Sequence, residues 1–160
     1  MLPNIGVDLL HLPRIAALVA RRGTYMQRFA RRILSDSEMS TFSAKMRSGE
    51  DHAVTRWLGV RWAAKEAAFK AGGAGRRLMW KEVEVRYMSS GKCAWNQRAT
   101  AGVDACTGQP YLQIPGEGIT GSLSISHDGD YVVAMAMLPA FQQMAAAAES
   151  GGEDAVAVHG

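Results

Sequence analysis

Arg56-Trp57-Leu58-Gly59-Val60-Arg61-Trp62-Ala63-Ala64-Lys65-Glu66-Ala67-Ala68-Phe69-Lys70-Ala71 is followed directly by Gly72-Gly73-Ala74-Gly75. Alanine, leucine, lysine and glutamate dominate the first stretch, and Gly59 is its only glycine, so it reads as a helix. The glycines after it suit a helix stop. Within this helix Glu66 and Lys70 lie four residues apart and share a face. Alone, such a pair is a surface ion pair stabilising the helix by about 0.2–0.5 kcal/mol. The neighbourhood favours more. Arg61 and Lys65 add cations nearby, and Arg76 and Arg77 follow the glycines. Cations beside exposed backbone amides make a phosphate cradle. A carboxylate is out of place there unless a divalent cation joins it to the phosphate, as Mg²⁺ does with one or two carboxylates, substrate oxygens and water.

Working outward from this helix, Leu123 and Ile125 alternate with Ser124 and Ser126, Asp128-Gly129 is a turn signal, and Tyr131 to Leu138 returns. That is a β-hairpin. Val83, Val85 and Tyr87 alternate with charged residues as a half-buried strand, and Tyr111 to Ile114 makes another. Ile5 to Leu10 reads as a strand ending near Asp8, with Pro13 in the first turn of a helix. Ser35 and Glu38 form a capping box that starts a second helix, and Ser48 to Asp51 reads as a loop. A further strand near Ala99 to Ala105 fits the ambiguous stretch between residues 88 and 108. The fold expected is α+β, a twisted antiparallel sheet packed on the long Arg56–Ala71 helix. One domain is expected over residues 1–140, with a mostly disordered Ala/Gly/Glu-rich tail over 141–160.

The composition narrows the class. A chain of 160 residues with 48% hydrophobic content suits one domain with a real core. Its net charge of +3 fits an anionic partner without choosing one. Cys93 and Cys106 match no metal or redox spacing, which points to a reducing compartment. No apolar run approaches the ~18 residues of a membrane span, and the N-terminus carries no signal-peptide pattern.

Two further residues bear on a phosphate site. Asp8 supplies a second carboxylate, or simply ends a strand. His127 lies at the hairpin turn, where it is either solvated or a hydrogen-bond donor and proton carrier. The residues alone reach a Mg²⁺–phosphate site built from Asp8, Glu66, Lys70 and His127.

Three blocks, in this order, resemble the holo-acyl-carrier-protein synthase family, the short type of 4'-phosphopantetheinyl transferase. They are Ile5-Gly6-Val7-Asp8 with Arg14-Ile15; Arg61 to Ala71 continued by Gly73 and Gly75; and Leu123 to Asp128 with Tyr131 to Ala134. Arg32-Ile33-Leu34 with Glu38, and Gly108-Gln109-Pro110, resemble the family's intervening segments. The likeness covers residues 4 to 138. Residues 43–56 and 88–106 are longer than compact bacterial members need, and no function is carried onto them.

The resemblance implies transfer of 4'-phosphopantetheine from coenzyme A to a serine of an apo acyl carrier protein, dependent on Mg²⁺ and releasing 3',5'-ADP. Asp8 and Glu66 would hold the metal. Lys70, Lys65 and Arg61 would meet phosphate oxygens, His127 would contact phosphate or move a proton, and Ser126, Gly108 and Pro110 would line the coenzyme. Gly73 and Gly75 would let backbone approach the nucleotide. A homotrimer is implied, with the coenzyme cleft between subunits, and a basic first helix presenting Arg14, Arg21 and Arg22 to the acidic carrier. Two other classes fit parts of the sequence: a basic nucleic-acid-binding module, for which no base-stacking platform accompanies the arginines, and a coenzyme A-binding protein without catalysis. Neither a nucleic-acid nor a membrane partner is expected. The acid-free, arginine-rich stretch from Leu9 to Leu34 has the composition of a mitochondrial targeting helix, so a mitochondrial location is expected, with the cytoplasm as the alternative.

Overall fold

Antiparallel pairing joins the first strand to the last. In the computed structural model, which describes residues 2–21, 23–73, 76–88 and 108–140, the chain runs through β1 (Asn4–His11), α1 (Leu12–Val19), α2 (Tyr25–Ile33), α3 (Asp36–Arg47), α4 (Asp51–Gly72), β2 (Glu84–Tyr87), β3 (Pro110–Ile114), β4 (Ile119–Asp128) and β5 (Tyr131–Leu138). The sheet order is β1-β5-β4-β3-β2, antiparallel throughout. This is the α+β architecture expected. The tail from 141, the Ala99–Ala105 stretch, Gly75 and Arg22 lie outside the described residues.

Period-2 alternation decides which face of the sheet is covered. Along β5, Val132, Ala134, Ala136 and Leu138 are buried while Tyr131, Val133, Met135 and Met137 are exposed. Helix α4 packs mainly over β1 and β5. It brings Ala63, Ala64, Ala67, Ala68 and Ala71, all fully buried, and small side chains on both sides let helix and sheet approach closely. Gly6 takes this to its limit: a Cβ there would run into the Ala67 carbonyl and the Ala71 amide. Gly59 plays the same part where α1 crosses α4, since its Cβ would press on Leu12.

The opposite face of the sheet is apolar, and no described element covers it. Ile5, Val7 and Leu9 of β1 are exposed, and they stand opposite Met137, Met135 and Val133 of β5, exposed as well. Ser122, Ser124 and Ser126 of β4 border this patch through the same register.

Several boundaries differ from expectation, each for a local reason. Gly49 at φ 75° ends the preceding turn and Glu50 takes the N-cap position, so α4 begins at Asp51 and absorbs part of the stretch that looked long for the family. The arginine-rich segment forms two short helices, α1 and α2. Asp8 lies inside β1 and not at its end, because pairing with β5 continues to His11 opposite Tyr131. The hairpin loop is Gly129-Asp130, with Asp128 still paired to Tyr131 and Gly129 at φ 51°. The Ser35–Glu38 capping box forms as read, both of its hydrogen bonds included.

Candidate active site

The glycine in β1 creates the site. By laying the strand against α4, Gly6 brings Asp8, two residues on and on the same face, to the helix side that carries Glu66 and Lys70. Lys70 Nζ donates to the Val7 carbonyl and to Asp8 Oδ1, both at 2.8 Å. The Asp8 side chain is largely covered, at 15% exposure, whereas Lys70 is about half exposed at 52%. Burial pushes the Glu66 carboxyl above the ordinary carboxylate range, the Asp8 charge adds to the rise, and Lys70 partly offsets it. Glu66 also lines a cleft of about 880 Å³ with Arg32, Phe69, Gly73, Arg77 and Trp80. Gly73, at φ 58°, caps the C-terminus of α4 there. Two carboxylates held by rigid elements, with an ammonium beside them, suit Mg²⁺ shared with phosphate oxygens and water. Among the described residues no cluster of three or more acidic, histidine or cysteine side chains offers an all-protein metal cage, and Mg²⁺ seldom needs one.

Gly6→Ala is therefore expected to push Asp8 away from Glu66 and Lys70, lowering any activity of this site by at least about tenfold, and to destabilise the chain by about 1–3 kcal/mol, the usual cost of overpacking. Activity assays beside thermal melts test this; full activity would mean that Asp8 does not depend on the close approach.

Arg61 belongs to a different place. Five helical residues separate it from Glu66, which is about 140° around the axis. Its guanidinium lies 3.5 Å over the Trp57 ring and 3.7 Å from Glu38. Buried as it is, its Nε and Nη1 have no hydrogen-bond partner among the described residues. It borders a cavity of about 580 Å³ with Lys45, Arg86, Tyr87 and Tyr111. Tyr87 and Tyr111 also line the adjoining cavity of about 550 Å³, which holds Gln109 and Pro110. Gly108 leads into that turn, and a Cβ there would collide with the Met88 carbonyl. Arg61, Gly108 and Pro110 thus sit around neighbouring cavities, away from Glu66.

Lys65 requires a correction. It is fully buried, and its ammonium donates to Glu38 Oε2 at 2.5 Å, the Ile33 carbonyl at 2.6 Å and the Trp80 carbonyl at 2.9 Å. All three N–H groups of a lysine are thereby satisfied within the fold, which leaves none for a ligand. Burial lowers its pKa, which Glu38 opposes. Arg76 is likewise engaged, paired to Glu117 and Glu82, whereas Arg77, which also lines the Glu66 cleft, has no such pair among the described residues.

His127 and Ser126 lie at the hairpin end of β4, both exposed. His127 stands opposite Val132, and Val132 opposite Leu10. Two strand spacings and two residues separate His127 from Asp8, roughly 12 Å, so one chain does not bring them into contact. On α1, Arg14 is exposed while Ile15 and Val19 are buried, and Arg21 just beyond the helix is exposed.

Comparison with known proteins gives the family of the chain. The pattern of the 4'-phosphopantetheinyl transferase superfamily matches residues 4–136. This chain is a member of the holo-acyl-carrier-protein synthase family of 4'-phosphopantetheinyl transferases. It is 41% identical to the mitochondrial 4'-phosphopantetheinyl transferase B of Aspergillus fumigatus over 82% of this chain and 90% of that protein. It is 31% identical to the holo-acyl-carrier-protein synthase of Cupriavidus pinatubonensis over 98% of this chain and 96% of that one. Among solved structures, the Bacillus anthracis synthase in complex with coenzyme A (3',5'-ADP) superposes with a TM-score of 0.60 at 26% identity, covering 88% of this chain and 99% of that one. The Plasmodium yoelii synthase shares the fold, with a TM-score of 0.63 at 21% identity over 88% and 96%.

Two residues of this transferase escaped the reading of its sequence. Gly6 looked like one more residue of a strand, although a lone glycine inside a strand signals close backbone approach. Glu38 looked like a helix cap alone. It also neutralises Lys65, accepts from the Val85 amide at 3.0 Å and faces Arg61. Only the third dimension joins those partners.

Proposed function

We propose that this transferase moves the 4'-phosphopantetheine of coenzyme A onto a serine of an apo acyl carrier protein. The observation that carries the proposal is the convergence of Asp8, Glu66 and Lys70 at one edge of the sheet, in a chain whose relatives carry that activity in their names. The serine oxygen forms a bond to the β-phosphorus, the bond from that phosphorus to the bridging oxygen breaks, and 3',5'-ADP leaves. Asp8 and Glu66 would hold Mg²⁺. Bound there, it would neutralise pyrophosphate charge that otherwise repels the nucleophile. Lys70 is fixed by Val7 and Asp8 and keeps a third N–H for a phosphate oxygen. It would stabilise the charge that grows on the departing group. Glu66 through a metal-held water, Lys70 and His127 are the candidates to take the serine proton. Arg61 would meet a phosphate of the coenzyme away from the Asp8–Glu66 edge, with Gly108 and Pro110 lining the coenzyme near it, and His127 with Ser126 would serve another part of the coenzyme.

The uncovered apolar face supports a homotrimer. Seven exposed apolar side chains of β1 and β5, Ile5, Val7, Leu9, Tyr131, Val133, Met135 and Met137, need a partner surface, and a second copy of the chain supplies one of like character. Coenzyme A lying between copies would reach the Asp8–Glu66 edge of one and the Arg61 cavity and His127 of the next. Sedimentation that finds a fully active monomer at micromolar concentration would overturn the trimer. The central test is mass spectrometry of an apo carrier protein incubated with the chain, coenzyme A and Mg²⁺. A gain of one phosphopantetheine supports the proposal, and no gain with several carriers overturns it.

For the carrier we propose an acidic surface gripped by Arg14 and Arg21, joined by Arg22, the next residue in the sequence. Rim charges act mainly on encounter rate and salt sensitivity. Arg14→Glu is expected to raise KM for the carrier about tenfold, flatten its salt dependence and leave KM for coenzyme A unchanged. Steady-state kinetics at two ionic strengths measures this, and weakened coenzyme A binding alone would misplace the docking surface. A mitochondrial location is proposed on the arginine-rich segment and the Aspergillus relative's name. Recovery of tagged chain in the cytoplasm alone would reverse it.

A further inference from the structure

Glu38 is buried at 4% exposure, yet it faces two cations and two amides. Its Oε2 accepts from Lys65 Nζ and from the Ser35 amide, and its Oε1 from the Val85 amide. Better placed donors therefore occupy both oxygens. Arg61 Nε stays 3.7 Å from Oε1, beyond hydrogen-bond reach. The carboxylate compensates the Arg61 charge without taking its donors. Trp57, 3.5 Å beneath, fixes the plane of the guanidinium. The result is a buried guanidinium whose Nε and Nη1 have no partner among the described residues, beside a cavity lined also by Glu38 itself, by Lys45 and by Arg86, the last paired to Glu84. Two unmatched buried donors cost stability, and a group held this way binds an incoming anion with little further ordering.

We infer that Glu38 is a positioning residue for Arg61, keeping its donors free and aimed at the phosphate of the bound coenzyme. The inference rests on the proposed role of Arg61 as a phosphate contact. A carboxylate that merely paired with Arg61 would block the site. One withdrawn by Lys65, Ser35 and Val85 holds the arginine without competing for its donors. The helix cap, the buried lysine and the coenzyme contact are thereby one device, linking α3, α4 and β2.

The test is a double-mutant cycle on coenzyme A affinity, measured by titration calorimetry with thermal melts alongside. Glu38→Gln with Lys65→Met removes the carboxylate charge together with its main buried partner, an exchange cores often tolerate. It is expected to weaken coenzyme A binding about tenfold while kcat at saturating coenzyme stays within about threefold. In an Arg61→Met background the same pair of changes is expected to alter binding by less than about twofold. Glu38→Asp, which keeps the charge and retracts it by one methylene, is expected to lose an intermediate amount. If the paired variant melts below the assay temperature, the cycle run with Glu38→Asp decides in the same way. Equal losses with and without Arg61, or no loss at all, would overturn the inference in favour of a purely structural Glu38. Arg61→Met binding coenzyme A as tightly as the unaltered chain would also overturn it. The mass gain of the carrier tests the transfer reaction separately, so the two readings fail independently.

Discussion

Glu66→Gln is expected to lower kcat for carrier modification at least about 100-fold, the scale on which losing one electrostatic contact to a transition state is felt, while the chain stays folded. The two halves of this expectation have one cause. Burial and the Asp8 charge hold the Glu66 carboxyl above its ordinary range, so the ionised form is disfavoured in the fold. A raised carboxyl contributes stability that is present below the unfolded pKa and is lost as pH rises through the folded one. The glutamine variant lacks that loss. Its melting temperature should match the parent near pH 4 and equal or exceed it at pH 7. Charge beside Asp8 is thus retained against stability, as expected where a carboxylate acts on a ligand. Near-normal kcat for Glu66→Gln at limiting Mg²⁺ would remove Glu66 from the metal, and a variant melting well below the parent at pH 7 would make it a structural residue.

What the sequence made legible was periodic or local. The α4 stretch, the 123–138 hairpin and the Ser35 capping box depend on neighbours along the chain, and all three formed. The pairing of Glu66 with Lys70 on one face followed from helical spacing, and Asp8 joined them as the carboxylate set into the first apolar run. Long-range partners were not legible. Nothing local to Lys65 distinguishes a lysine facing phosphate from one buried against two carbonyls and a carboxylate, since both sit in the same Ala-rich helix. Its partners come from α2, α3 and the segment before β2. Nor does spacing show that Arg61 and Glu66 face different cavities until the helix is docked on β1 and β5. His127 is the converse case. The turn was visible, but its distance from Asp8 is set by the strand order β1-β5-β4.

Lys65→Ala is expected to destabilise the chain by about 3–5 kcal/mol, the cost of breaking a buried ion pair and leaving its partner behind. For a domain of this size that lowers the melting temperature by about 10 °C or more. Three losses coincide at one atom. Glu38 keeps only two backbone amides and a distant guanidinium as compensation, while the carbonyls of Ile33 and Trp80 lose the donor that joins the end of α2 to the segment before β2. Trp80 also packs at a tilt 4.5 Å from Trp62 and meets Phe69 edge-on at 4.7 Å, so movement there reaches the wall of the Glu66 cleft. Lys65→Met combined with Glu38→Gln should recover much of the stability by removing both charges and refilling the volume. A lysine that met phosphate from the protein surface would behave in the opposite way. Its removal would raise KM for coenzyme A and leave the melting temperature in place, and adding Glu38→Gln would recover nothing. Thermal melts and coenzyme A kinetics on these two variants therefore separate the buried strut from the ligand contact, because the first acts on folding through Glu38 and the second only on the bound state.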